Sequence, residues 1–64
     1  MARSVTIEIK MENAAFDGDP TFELARVLRE LARRIDEGLV PDHLPLSDIN
    51  GNVVGSFDYN RKRG

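Results

Sequence analysis

The chain predicts an α+β fold: a single two-layer βαββ domain spanning residues 1–64, one helix packed on a three-stranded, mainly antiparallel sheet. Three observations carry that expectation. Residues 20–37 place apolar side chains at helical spacing, residues 4–11 alternate apolar and polar, and residues 44–59 are built around Asn50-Gly51. A chain of 64 residues lies near the lower limit at which a domain buries enough apolar surface to fold alone. Self-association or a partner would therefore add stability.

In the first strand Val5, Ile7, Ile9 and Met11 fall on one side and Thr6, Glu8 and Lys10 on the other, because successive side chains of a strand point to opposite faces. One buried and one wet face is the pattern of an antiparallel sheet. Residues 12–19, ENAAFDGD, carry turn formers, and Phe16 among them is expected to tuck beneath the helix start and seal that end of the core. Asp19 as N-cap, Pro20 at the first helical position and Glu23 near the positive end of the helix dipole mark where the helix begins. Leu24, Val27, Leu28, Leu31 and Ile35 recur at three and four residues and share one stripe that must find a cover. Gly38 suits the left-handed position after the last turn, and Pro41 prevents continuation. In the connector that follows, Leu39, Val40 and Leu44 are expected to close the lower end of the core.

The final segment admits two turns. Asn50-Gly51 suits a two-residue hairpin, while Asp48 at the first position and Gly51 at the fourth suit a type I turn followed by a left-handed glycine. The two differ in register, so whether Val53 or Val54 points inward stays open at this level. Phe57 is the expected core aromatic of the third strand, and Gly55 marks a bulge or a close approach of backbone. Residues 60–64, NRKRG, are expected to form a frayed basic tail. The preferred strand order is 1-3-2, wholly antiparallel; placing the first strand beside the second would require a parallel pair and a right-handed crossover.

Composition excludes several classes. The chain has no cysteine, so neither a disulfide framework nor a thiolate metal site is available, and a reducing cytoplasm is the natural setting. No stretch approaches the ~20 apolar residues of a membrane span. Nine basic residues against eleven acidic ones leave a net charge of −2, which argues against generic binding to a phosphate backbone. No nucleophile and base are paired in the sequence, and no cofactor motif is present, so a non-enzymatic role is expected. His43, the single histidine, sits beside Asp42 without a second ligand and reads as structural or solvent-exposed. Asp48-Ile49-Asn50-Gly51-Asn52 has the opening of a calcium loop, but the position for its glycine is Val53 and the position for its closing glutamate is Tyr59. It reads as a turn, and no metal is expected.

The helix back is the candidate site. Steps of 100° bring Phe22, Arg26, Arg29 and Arg33 together opposite the apolar stripe, and an aromatic at the head of an arginine row is the composition enriched at interface hot spots. The plain alternative is a solvated face laced with weak ion pairs.

Three stretches, Asn13-Ala14-Ala15-Phe16, Glu23-Leu24-Ala25-Arg26 with Leu28-Arg29-Glu30-Leu31-Ala32, and Asp48-Ile49-Asn50-Gly51-Asn52 with Val54-Gly55, give the chain a resemblance to short accessory proteins of tailed phages and prophages. The resemblance implies expression in a bacterial cytoplasm and no site residues of its own. It makes a protein-binding module the leading expectation, most concretely an antagonist of a bacterial defence complex of the anti-CRISPR kind, acting by occlusion. Its partner would be a host or phage protein, for instance in a nucleic-acid-handling complex, met by the helix back or a sheet edge, with Glu8, Glu12, Asp17 and Asp19 as potential phosphate mimics. The alternatives are direct nucleic-acid binding by the arginine row and a homodimeric structural or adaptor role.

Overall fold

The computed structural model describes residues 3–38 and 40–61. The order is β1 (Arg3–Ile9), a 3₁₀ turn (Ala14–Phe16), α1 (Pro20–Asp36), β2 (His43–Ser47) and β3 (Val53–Arg61). β3 lies in the middle of the sheet and pairs antiparallel with both neighbours, giving the order β1-β3-β2. This is the expected α+β arrangement of one helix on a three-stranded antiparallel sheet. β3 runs further than expected: Asn60 and Arg61 pair with Ser4 and Arg3 and belong to the strand, not to a tail. Leu39 and residues 62–64, for which a core contact and a frayed end were expected, lie outside the described residues.

Both helix ends are made locally. The Asp19 carboxylate accepts from the Thr21 amide at 3.1 Å and from the Thr21 hydroxyl at 2.6 Å, which satisfies one of the free amides of the first turn. At the other end Glu37 is the C-cap and Gly38 takes φ +72. The turn between β2 and β3 is the second of the two alternatives. The Gly51 amide donates to the Asp48 carbonyl at 3.0 Å, Gly51 has φ +88, and Asn50 does not adopt positive φ, so the mirror-image two-residue turn is ruled out. The register then slips by one residue: Leu46 faces Gly55 but Ser47 faces Val53. Val54 is the extra residue of a bulge; it is buried while Val53 stands 67% exposed.

The core is small. Val27, Leu31, Leu46 and Phe57 form it, with Ile9, Val40, Leu44 and Tyr59 packed around them, and Phe16 is buried at the helix start. The helix is turned relative to the orientation that its leucines alone suggest. Its buried line runs through Glu23, Val27 and Leu31, while Leu28 and Ile35 are 38% and 50% exposed. That is a rotation of roughly 50° about the helix axis at 100° per residue, and it lays α1 against β2 and the 3₁₀ turn. β1 is left largely uncovered. The expectation of a buried apolar face on that strand is therefore corrected: Val5 is 50%, Ile7 42% and Met11 37% exposed, and only Ile9 reaches the core.

Gly55 sits where the β1 backbone crosses β3. A Cβ added there would lie 1.8 Å from the Glu8 carbonyl oxygen and 2.9 Å from the Ile9 Cα, both backbone atoms that cannot move aside without breaking the ladder. Gly55→Ala is expected to cost at least about 3 kcal/mol, the upper end of overpacking penalties, or to prevent folding. Urea denaturation followed by circular dichroism reads this directly; a midpoint within error of the parent would contradict the close approach.

Candidate functional site

A buried, hydrogen-bonded polar cluster sits at the helix N-terminus. Glu23 and Asp48 are 3% and 4% exposed. Glu23 accepts a two-pronged bond from Arg26, Nε at 3.0 Å and Nη2 at 2.9 Å, and a bond from the Ile49 amide at 2.9 Å. Arg26 reaches on to the Ser47 carbonyl at 3.2 Å. Asp48 accepts from the Asn13 side-chain amide at 2.7 Å, from the backbone amides of Asn50 and Asn52 at 2.9 Å each, and from the Asn52 side chain at 3.3 Å. The three stretches singled out in the sequence, around Asn13, Glu23 and Asp48, thus meet in one knot. Among the described residues no buried side-chain polar atom lacks a partner. The buried donors and acceptors of the cluster answer one another, so the knot acts as a clamp. The Asp48 oxygens that a cation would need are spent on N–H donors.

Glu23 was not legible as a buried group. Its placement in the first turn suggested only a favourable charge at the helix dipole, and the signal that could have found it is Arg26 three residues on, a partner able to follow it into the interior. The Arg26 bonds lower the pKa of Glu23 against the effect of burial. For Asp48 burial alone would raise the pKa, but the bonds from Asn52, Asn13 and Asn50 outweigh it and the net shift is downward.

The clamp divides the helix back. Of the four candidate residues Phe22 is 69% exposed and Arg29 is exposed, with no ion-pair partner among the described residues. Arg33 is exposed but held by Glu30 at 2.6 Å and Glu37 at 3.0 Å; exposed pairs of this kind are weak and exchange readily. Arg26 is half-buried in the clamp and belongs to the interior. Phe22, Arg29 and Arg33 therefore remain exposed on the helix back, and Arg26 fixes the helix that carries them.

Two further features lie on other sides. Between the C-terminal half of α1 and the uncovered β1 runs an apolar trough of about 350 Å³ lined by Val5, Ile7, Ile35, Val40, Phe57 and Tyr59. On the opposite face of the sheet His43 bonds Asp58 through Nδ1, and the Ser56 hydroxyl donates to the same carboxylate at 3.3 Å. The sequence set His43 beside Asp42 and brought neither Asp58 nor Ser56 to it, yet the arrangement is no Ser-His-Asp relay. The serine bonds the aspartate and not the imidazole, so the histidine is not placed to take its proton as it does in that relay. No helix among the described residues is long and apolar enough to cross a membrane.

The acid side of the stability profile follows from the clamp. Glu23, Asp48 and Asp58 all have folded-state pKa values below their ordinary ones, Asp58 through His43. A depressed carboxylate contributes stability above its unfolded pKa and loses it as pH falls through the folded value. The melting temperature is therefore expected to hold near neutrality and to fall as the pH drops below the ordinary values of 4.5 for Glu23 and 3.8 for Asp48. Glu23→Gln should lower the melting temperature at pH 7 by roughly 10 °C and make the acid limb shallower; an unchanged limb would remove Glu23 from the linkage. Comparison of the chain with known protein families, with curated proteins and with solved structures finds no match.

Proposed function

We propose that this chain is a non-catalytic protein-binding module that acts by occupying the surface of a larger machine. The observation that carries the reading is the placement of Phe22, 69% exposed, on one face with Arg29, which has no ion-pair partner among the described residues, on a helix held by the Glu23–Arg26–Asp48 clamp. A large aromatic and an arginine held rigidly on one face lose little entropy on docking, which is how a few residues come to dominate an interface. Arg29 would make bidentate bonds to partner carboxylates, and Arg33 would join after exchanging Glu30 or Glu37 for a partner group. We propose as its concrete form, on the sequence patterns alone, an occlusive antagonist of a bacterial defence complex of the kind that phage accessory proteins supply, working in the host cytoplasm.

Direct nucleic-acid binding is the second reading and is weaker. A row of arginines binds phosphates in proportion to its free charge, and here Arg26 and Arg33 are neutralised by carboxylates of their own helix.

Plating of phage on bacteria that carry defined defence systems tests the proposal. Expression of the chain should restore plaque formation against at least one system, and Phe22→Ala or Arg29→Ala should abolish the rescue while leaving the circular dichroism spectrum unchanged. Retention on heparin that survives Phe22→Ala but vanishes with Arg29→Ala and Arg33→Ala would instead favour the nucleic-acid reading. Loss of neither activity with either set of variants would remove the helix back from consideration.

A further inference from the structure

The three-stranded sheet has two edges, and they are not alike. The Lys10 amide donates to the Val54 carbonyl at 2.7 Å, and the Tyr59 amide to the Asp42 carbonyl at 2.8 Å. In an antiparallel ladder a residue directs its N–H and C=O to the same side, and that side alternates along the strand. Even-numbered residues of β1 therefore bond β3, and Arg3, Val5, Ile7 and Ile9 direct their amides and carbonyls to the open edge. In β2 the even-numbered residues bond β3, and the outward positions are His43, Pro45 and Ser47. Pro45 has no N–H to offer, and a proline facing outward is how edge strands are closed. β1 carries no proline, no glycine and no bulge over its seven residues. The residues that present its free backbone also carry the exposed side chains, Val5 and Ile7, that border the trough.

We infer that β1 pairs with β1 of a second copy of this chain, antiparallel, about a two-fold axis normal to the sheet at Thr6, joining the two sheets into one of six strands. Thr6 is the middle residue of Arg3–Ile9, so this register alone overlaps the whole strand. It pairs Val5 with Ile7 and Arg3 with Ile9 through the free backbone groups, on the face toward the helices. On the other face it sets Thr6 against itself and Ser4 against Glu8. No like charges stand opposite, whereas an axis at Ile7 would bring the two Glu8 side chains into diagonal contact. Self-pairing of an alternating strand satisfies every outward amide and carbonyl at once and covers apolar side chains that α1, turned toward β2, leaves open. A strand of an unrelated protein would have to match both the hydrogen-bond parity and the apolar pattern; a second copy matches them by symmetry. The inference does not depend on the role assigned to the helix back.

The absence of cysteine from the chain makes the register directly readable. Thr6 would form a non-hydrogen-bonded pair across the axis, with Cα atoms about 4.5 Å apart, within the disulfide range of about 4.4–6.8 Å. Position 4 would lie some four residues, or roughly 13 Å, from its own copy. The purified chain is expected to sediment at twice its 7.2 kDa mass. Thr6→Cys should cross-link to a covalent dimer under mild oxidation while Ser4→Cys stays largely uncross-linked. Val5→Lys, which places a charge against Ile7 of the other copy, should return the chain to the monomer mass with an unchanged circular dichroism spectrum. A parent chain that remains monomeric at concentrations of roughly 1 mM, equal cross-linking at positions 4 and 6, or a Val5→Lys variant that is still dimeric would each overturn the inference. So would a monomeric parent whose capture of another protein is lost in Val5→Lys, since the edge would then serve a foreign strand.

Discussion

Two carboxylates, Glu23 and Asp48, are buried where the helix start meets the hairpin turn, and satisfying them organises the molecule. A buried charge without partners is far more costly than an exposed one, so once Glu23 turns inward Arg26 must follow it and the Ile49 amide must lie beside it. Asp48 in turn needs the amides of Asn50 and Asn52 and the side chain of Asn13. These demands come from three separate parts of the chain, and meeting them ties the 3₁₀ turn, the helix start and the hairpin turn together. The buried apolar cluster of Val27, Leu31, Leu46 and Phe57 is small, and the polar knot adds directional bonds that apolar contact lacks.

The rotation of the helix is the main consequence. Drawn toward the hairpin turn by Glu23 and Arg26, α1 lies over β2 and presents Leu28 and Ile35 to the margin instead of to the sheet. The apolar side of β1 is then bare, although its alternation is that of a strand meant to be covered. Phe22 and Arg29 point away from the sheet in either orientation; what the rotation changes is that Arg26 turns toward the hairpin and the apolar edge of β1 stays open beside a trough.

The two surfaces suit different kinds of contact. The helix back offers a small number of anchors on a rigid rod, suited to a specific partner surface with carboxylates for its arginines. The edge of β1 offers repeating backbone groups and branched side chains, suited to another strand. They point in different directions, so occupation of one leaves the other available. A two-fold assembly through the edge would carry two copies of the helix back, and a module that blocks a multisubunit machine gains avidity from such bivalency. The Ser56, Asp58 and His43 cluster on the far sheet face has the residue types of a hydrolase but the wrong order of bonds, and it contributes to holding β2 on β3.

Element types and caps were legible because each depends on residues close in sequence, whereas the order β1-β3-β2 was the preferred of two and rests on pairing between the two ends of the chain. Alternation from Val5 to Ile9, the Asp19–Pro20 start, Gly38 and the Asp48–Gly51 turn are local signals, and the burial of Phe16 and the close approach at Gly55 followed from their setting. What the sequence by itself determined is therefore the set of elements, with the antiparallel order β1-β3-β2 left for the structure to choose from two. The tertiary structure alone decided which face of the helix is inside, which of Val53 and Val54 is buried, and that Arg26 belongs to the interior while Arg29 does not. The helix face and the place of Arg26 rest on bonds between residues twenty or more positions apart, such as Glu23 to Ile49 and Arg26 to Ser47, whereas the burial of Val54 follows from which of two turns forms and from the bulge beside it. Periodicity reports which side chains share a face, but the angle at which that face meets the sheet is set by long-range partners that no local pattern contains.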